Sequence, residues 1–314
     1  MVSPAAKRAV VKDLVQRGVC SERHACEVAA APRATVRYVR RVRSDEAALR
    51  KRICALAKRY KRYGVRRILV MLKREGWRAN KKRVHRLWKD EGLQRKRKAV
   101  KRRAVGPSEG LPMRAEYPNH VWTYDFIEDR TERGGKLRML NILDEYTRQC
   151  LHIRVDRSIG AAKVIASLEW LFLLHGAPAF IRSDNGPELV AKALQDWLKE
   201  RGAQTLYITP GSPWENPYIE SFHDKFRDEC LNMHVFADGR HAQEVVEAWR
   251  NEYNEERPHS SLNYMTPAEF AAHCRNSGRP LSAMADTASL RSGNADTPGP
   301  DQQTEANTLT AVGT

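Results

Sequence analysis

The sequence has no CxxC pair among its six cysteines, which stand at 20, 26, 54, 150, 230 and 274, and no histidine pair at zinc-finger distance. That excludes a zinc ribbon or a finger; Cys20, His24 and Cys26 lie close together, but their spacing does not match a structural zinc site. The thiols read instead as core or surface residues of a reducing cytosol. Long hydrophobic runs are missing too. The most apolar stretch, Val164–Ile181, is interrupted by Glu169, His175 and Gly176, so no membrane span is expected. No signal-like apolar run opens the chain, and the expected location is cytoplasmic. The third deficit is acid in the first part of the chain. Residues 1–105 carry 34 Lys and Arg against 8 Asp and Glu, whereas residues 106–314 carry 21 against 30, within an overall net charge of +17. A basic half joined to a mildly acidic half suggests a polyanion-binding arm attached to something else. Nucleic acid suits that arm, because neutralising phosphates releases counterions without any demand on base sequence. A merely solubilising basic surface is the competing reading.

The basic part reads as two helical units. Across residues 1–43, Val10, Val11, Leu14 and Val15 form an apolar face stopped at Gly18. Ser21 can cap a second helix, and Pro32 suits the first turn of a third. Such short helices joined by tight turns are consistent with a helix-turn-helix. Over 44–94, Ser44 followed by Asp45 and Glu46 opens a helix with Leu49, Ile53, Leu56 and Tyr60 on one face. Val65, Ile68, Leu69 and Leu72 line the next helix. Asn80 caps a third, with Val84, Leu87 and Trp88 inward and Lys81, Lys82, Arg83 and Arg86 outward. A capped helix with one cationic face, after a glycine-containing turn, has the makings of a major-groove recognition helix; a solvated basic face is the alternative. The run RKRKAVKRR at 95–103, with Gly106, Pro107, Gly110 and Pro112 behind it, predicts a basic linker over 95–118.

From about 120 the period changes. Strands are expected at Val121–Ile127, Arg138–Ile142, Cys150–Val155, Ala179–Arg182 and Thr205–Ile208, the first ending near Asp125. Helices are expected at Ala161–Leu174, Glu188–Arg201, Tyr218–Cys230 and Ala242–Tyr253. Strands first and then alternating helices and strands describe an α/β core, a mixed five-stranded sheet with flanking helices, over 119–275. Beyond 276 the chain is rich in Ser, Thr, Asp, Gly and Pro and has no aromatic residue, so a disordered tail is predicted.

Three acids stand out in this half. Asp125 sits among apolar and aromatic strand residues, where a carboxylate is costly to bury without a partner. Asp184 follows a strand and precedes Asn185-Gly186-Pro187; at the carboxyl end of a strand in such sheets ligands collect. Glu220 lies early in a helix whose Ile219, Phe222 and Phe226 can face a core. Three converging carboxylates would suit two Mg²⁺ or Mn²⁺ ions and phosphodiester chemistry. By composition alone, each acid could equally be a solvated surface residue.

Asp184 and Glu220 are separated by thirty-five residues, and the basic Arg227 follows Glu220 by seven. Around them stand the words Arg182-Ser183-Asp184-Asn185-Gly186-Pro187-Glu188, Ser212-Pro213-Trp214-Glu215-Asn216 and Glu220-Ser221-Phe222. Later come Tyr253-Asn254, Arg257-Pro258-His259, Ser261-Leu262 and Thr266-Pro267. Taken together they resemble the second-reading-frame transposases of the IS-three family of insertion sequences, whose core is shared with retroviral-type integrases. The stretch Tyr63-Gly64 to Gly92-Leu93 is similar to the helix-turn-helix that precedes that core.

The resemblance implies a ribonuclease-H-like fold preceded by an all-α helix-turn-helix region. Asp125, Asp184 and Glu220 would be catalytic and bind two Mg²⁺ or Mn²⁺ ions. The activity implied is cleavage at insertion-sequence ends followed by strand transfer. Lys225 and Arg227 would meet substrate DNA phosphates, with Asn185 and Trp214 as further DNA contacts beside Lys81, Lys82, Arg83 and Arg86. Partners would be terminal inverted repeats and target DNA, a homo-oligomer on that DNA, and an upstream-frame helix-turn-helix or leucine-zipper protein. A nucleoid-associated location follows. His223-Asp224 departs from the family, which often has Asn-Gly there. Two other readings stand beside it: an inert DNA-binding relic or repressor, and a ribonuclease H or junction nuclease of the same fold.

Overall fold

The computed structural model describes residues 3–38, 43–94, 113–184, 192–207 and 216–277. The chain divides into two compact units, Met1–Gln94 and Arg95–Thr314.

The first unit is helical. Helices α1 (Pro4–Gln16), α2 (Glu22–Val28) and α3 (Arg33–Arg37) close on a small core of Val11, Ala25, Cys26, Ala31 and Val36. Ser3 and Ser21 cap the first two by accepting from backbone N–H groups, and Gly18 takes the left-handed backbone (φ 68°) that ends the first. Pro32 stands at the cap of α3, one place before the expected first turn. Helices α4 (Glu46–Arg59), α5 (Val65–Arg74) and α6 (Lys81–Asp90) pack around Leu49, Ile53, Leu56, Ile68, Leu72, Val84 and Leu87. Asp45, not Ser44, takes the cap position of α4, and Gly64 takes that of α5. Asn80 caps α6 through the N–H of Arg83 at 2.8 Å.

The second unit is built on a five-stranded sheet. Its strands are β1 (Val121–Arg130), β2 (Lys136–Asp144), β3 (Cys150–Asp156), β4 (Phe180–Ser183) and β5 (Gln204–Tyr207), in the order β3-β2-β1-β4-β5. The first three pair antiparallel; β4 joins β1 in parallel and β5 joins β4 likewise. β1 and β2 run several residues past the expected ends, because their extension is held by charged pairs instead of apolar ones. Glu128 faces Arg138 across the strands and lies 2.8 Å from Lys136. Asp125 is therefore mid-strand, not terminal.

Alternation along the strands sorts side chains to two faces. Trp122, Tyr124, Leu140 and Ile142 face helices α7 (Ala161–His175) and α8 (Lys192–Glu200), through Val164, Leu168, Leu171 and Leu194. Ile127, Met139 and Leu143 face α9 (Pro217–Glu229) and α10 (Gly239–Glu255), through Phe222, Phe226, Trp249 and Tyr253. By the same alternation Thr123, Asp125 and Asn141 belong to the α9 side. Helix α11 (Pro267–Ser277) was not anticipated; it is short and buries Phe270 and Cys274 with Leu262 in a satellite cluster.

The outer edge of β3 is occupied by side chains of α10. Gln243 accepts from Val155 N at 2.8 Å and donates to Ile153 O at 3.0 Å, and Asn254 both accepts from and donates to the Cys150 backbone at 2.9 Å. All six cysteines are free thiols. No described helix is long and apolar enough to cross a membrane. The residues after 277 and the basic run 95–103 lie outside the described residues.

Candidate functional site

Asp125 is positioned by β1, with Asn141 as its neighbour across the pair with β2. The parallel register of β1 and β4 matches Thr123 to Arg182. Continued by two residues, it sets Asp184, just past the end of β4, level with Asp125 on an adjacent strand. Glu220 lies in the first turn of α9, and that turn is tied to β1. Thr123 Oγ1 donates to Asn216 Oδ1 at 2.8 Å in a fully buried bond, two residues before Asp125 and four before Glu220.

Electrostatics couple the three acids. Asp125 is pushed up to about 6, first by burial and then by the negative charges of Asp184 and Glu220; a bond accepted from Phe126 N (2.6 Å) and the charge of Arg138 pull the other way. Asp184 and Glu220 are exposed. Among the described residues no three Asp, Glu, His or Cys side chains are gathered closely enough to hold a metal ion as they stand. Closing the set around an ion takes movement of the two exposed carboxylates toward Asp125. In charge and chemistry the donors fit a hard divalent cation: all are carboxylate oxygens, and their repulsion raises Asp125 in the way a cation would reverse.

Two polar residues stand beside Asp125: Asn141, which the sequence reading passed over, and His223, which it singled out only as a departure from the family pattern. Asn141, fully buried in the otherwise apolar run Met139–Leu143, donates through Nδ2 to His223 Nε2 at 2.9 Å. That leaves the His223 proton on Nδ1, 3.7 Å from Asp125 Oδ2. Burial and the nearby Arg227 hold His223 down at about 4, so it stands beside the acid as a neutral ring, beyond hydrogen-bond distance. The signal was available: a lone Asn within Met139-Leu140-Asn141-Ile142-Leu143 needs a buried partner.

Beside Asp184, Arg182 and Glu145 form a buried ion pair at 3.2 Å, and Arg182 also donates to Met113 O. Burial lifts Glu145 to about 7 against the pull of Arg182 and Arg148. At the far end of α9, Arg257 grips Glu229 with two bonds of 2.6 and 2.7 Å, both side chains buried. The words Tyr253-Asn254 and Arg257-Pro258-His259 thus anchor α9 and the edge of β3.

The remaining candidates separate. Lys225 bonds to Ser221, its own helix neighbour, and Arg227 reaches back to donate to Glu128 O at 3.2 Å. In the first unit Lys81 and Lys82 are exposed, but Arg83 and Arg86 do not point outward as expected. Arg83 binds Asp45 through bonds of 2.6 and 3.0 Å, and Arg86 binds Glu46 at 2.7 Å. The physical reason is that the first turn of α4 offers two acids to the adjoining α6, and bidentate guanidinium pairing outcompetes solvent. His85 and Lys89 complete the exposed face instead. Asn185 and Trp214 lie outside the described residues.

Residues 44–102 match the HTH-like domain family, and residues 115–213 and 201–267 match two integrase core domain families. An uncharacterized 31.7 kDa protein of insertion element IS407 from Burkholderia multivorans is 38% identical over 81% of this chain and 92% of its own length. An uncharacterized 39.2 kDa protein of insertion element IS476 from Xanthomonas euvesicatoria is 35% identical over 87% and 79%. The solved catalytic core domain of BIV integrase aligns with 51% of this chain and 98% of its own at 16% identity, with a TM-score of 0.40. The five-stranded mixed sheet with helices on both faces is the ribonuclease-H-like fold of the integrase core domain families matched over residues 115–267, and the chain belongs to the IS-three-like family of insertion-element transposases.

Proposed function

We propose that the chain is an active transposase that cuts DNA at insertion-sequence ends and joins the freed end to a second phosphodiester. Water's oxygen would bond to phosphorus as the bond to O3′ breaks, leaving a 3′ hydroxyl; that hydroxyl would then attack a second phosphorus and displace its O3′. Asp125, Asp184 and Glu220 would hold two Mg²⁺ or Mn²⁺ ions, which when bound neutralise charge on the attacking and departing oxygens. His223, kept neutral and oriented by Asn141, would wall one side of the Asp125 carboxylate. The observation that carries this reading is the coupling of three carboxylates from two strands and one helix in an integrase core. The test is a strand-transfer assay of the full chain on labelled end DNA. Joined products with Mg²⁺ that vanish on chelation support it; DNA binding without any product, even after adding the upstream-frame protein, leaves an inert DNA-binding relic as the better account.

Protons and cation would compete for Asp125. With that acid at about 6 in the metal-free chain, Mg²⁺ affinity should rise about tenfold per pH unit below 6 and level off above it. The sign agrees with stability: a raised carboxylate favours the folded metal-free chain at low pH, and that contribution is lost as pH climbs from about 4 through 6. Thermal shifts by Mg²⁺ should therefore be larger at pH 7.5 than at pH 5.5, and Asp125→Asn should erase the difference.

Domains 44–94 and 119–275 would divide the work between binding and chemistry, with 1–43 a second helical DNA contact, 95–118 a phosphate-tracking linker and 276–314 a tail. DNA would be held as a homo-oligomer in the cytoplasm, on the nucleoid. Replacing Lys81 and Lys82 with Ala should lower the slope of log affinity against log salt by about 1.8, two phosphate contacts at roughly 0.9 each. Arg83→Ala should instead lower the melting temperature, since that side chain serves the α4–α6 contact. An unchanged slope in the lysine variant would remove this face from the interface.

A further inference from the structure

Beside α9, on the side of Ser221 and Lys225, a cavity of about 260 Å³ is lined by Arg148, Tyr218, Ser221, Lys225, His259 and Ser261 over an apolar floor. No Asp or Glu is among its described lining residues. Arg148 is held there at a cost. The turn after β2, in which the Asp144 carboxylate accepts from the N–H groups of Asn119, Tyr146 and Thr147, leaves Arg148 with a left-handed backbone (φ 64°) that side chains rarely adopt. Its guanidinium lies 3.6 Å over the Tyr218 ring, and its Nη1, shielded from solvent, has no hydrogen-bond partner. Glu145, which feels the charge of Arg148, already faces Arg182. A flat cation stacked on an aromatic ring, in a cavity with hydroxyls and no acid among its described lining residues, is a receptor for a planar or tetrahedral oxyanion.

We propose that this cavity is a subsite for one backbone phosphate of the DNA strand, with Arg148 as its principal donor and Ser261 and His259 at its rim. The inference rests on the reading of the chain as a DNA-acting enzyme. It adds a contact from the β2–β3 turn and from the segment after α10 to those on α9. The phosphate would be held on the face of α9 turned away from Glu220, where Tyr218 presents Arg148, so the subsite would fix the strand without touching the reacting atoms.

The test uses the full chain and a duplex bearing the element's terminal repeat. Arg148→Gly removes the guanidinium and relieves the backbone, so melting should be unchanged or higher. Its DNA affinity should fall about eightfold at 0.1 M salt and its salt slope by about 0.9, the effect of one lost phosphate contact. Arg148→Lys should keep the slope. Ser261→Glu, at an exposed position, should weaken binding similarly by placing a carboxylate at the rim. Neutral methylphosphonate linkages, introduced one at a time, should reveal one phosphate whose loss hurts the wild type and not Arg148→Gly. If every linkage affects both proteins equally and the slope is unchanged while the wild type still binds DNA, the subsite is overturned and the transposase reading stands. Inorganic phosphate stabilising the wild type but not Arg148→Gly, with equal linkage scans, would assign the cavity to a free anion instead. A wild type that fails to bind the duplex overturns both readings.

Discussion

Glu220→Gln should abolish strand transfer, by at least about 10³-fold, while leaving affinity for end DNA within about twofold. A loss of that size corresponds to roughly 4 kcal/mol of transition-state stabilisation. The substitution keeps the size of an exposed side chain, so the Thr123–Asn216 bond and the Phe222–Phe226 packing beneath it are untouched. What it removes is one negative charge from a set of three. A second consequence distinguishes it from a folding defect. Since Glu220 contributes, after burial and Asp184, to the raised pKa of Asp125, Asp125 in the variant should titrate lower than about 6, measurable by carbonyl NMR in the metal-free protein. Asp184→Asn should do the same from the other side. Wild-type cleavage by either variant would sink the assignment of the acids; lost cleavage with an unmoved Asp125 would mean that the three groups do not form one site.

The largest stability effect should come from Arg257. Its guanidinium is almost entirely enclosed and bound by two short contacts to the largely enclosed Glu229. Arg257→Ala strands a carboxylate in the interior, at a cost of about 3–5 kcal/mol, or a melting temperature lower by roughly 10 °C for a unit of this size. Arg257→Lys should recover less than half, because an ammonium cannot make the paired contact. Replacing both partners, Arg257→Met with Glu229→Leu, should restore most of the loss, since the desolvated charges leave together. Were the double variant as unstable as Arg257→Ala, the pair's role would be shape and not charge. Because Glu229 sits on the helix that carries Glu220, single variants here should also slow strand transfer more than their folded fraction explains.

Much of this was legible before the fold. Capping residues, glycine stops and the apolar spacing located the helices of the first unit, since Ser21 and Asn80 leave local marks. The three acids could be singled out because an Asp within Trp122-Thr123-Tyr124 breaks a buried pattern, and because the words around Asp184 and Glu220 resemble a known family. What was hidden depends on partners distant in sequence. Arg83 and Arg86 look like a solvated face until Asp45 and Glu46, some forty residues earlier, are seen to meet them. The extra length of β1 and β2 rests on Glu128 with Lys136 and Arg138, a cross-strand match invisible to apolar periodicity. Asn141 could be recognised as unusual but not as the partner of His223, eighty-two residues away.

The amides of Gln243 and Asn254 have a meaning beyond anchoring a helix. β3 is the outermost strand on its side of the sheet, and an outermost strand ordinarily offers its unpaired N–H and C=O groups to any neighbouring chain. Here the Val155 N–H, the Ile153 carbonyl and both backbone groups of Cys150 are already engaged by α10. Along that border of the sheet strand-to-strand polymerisation is shut off, and a neighbouring chain approaching β3 meets side chains instead.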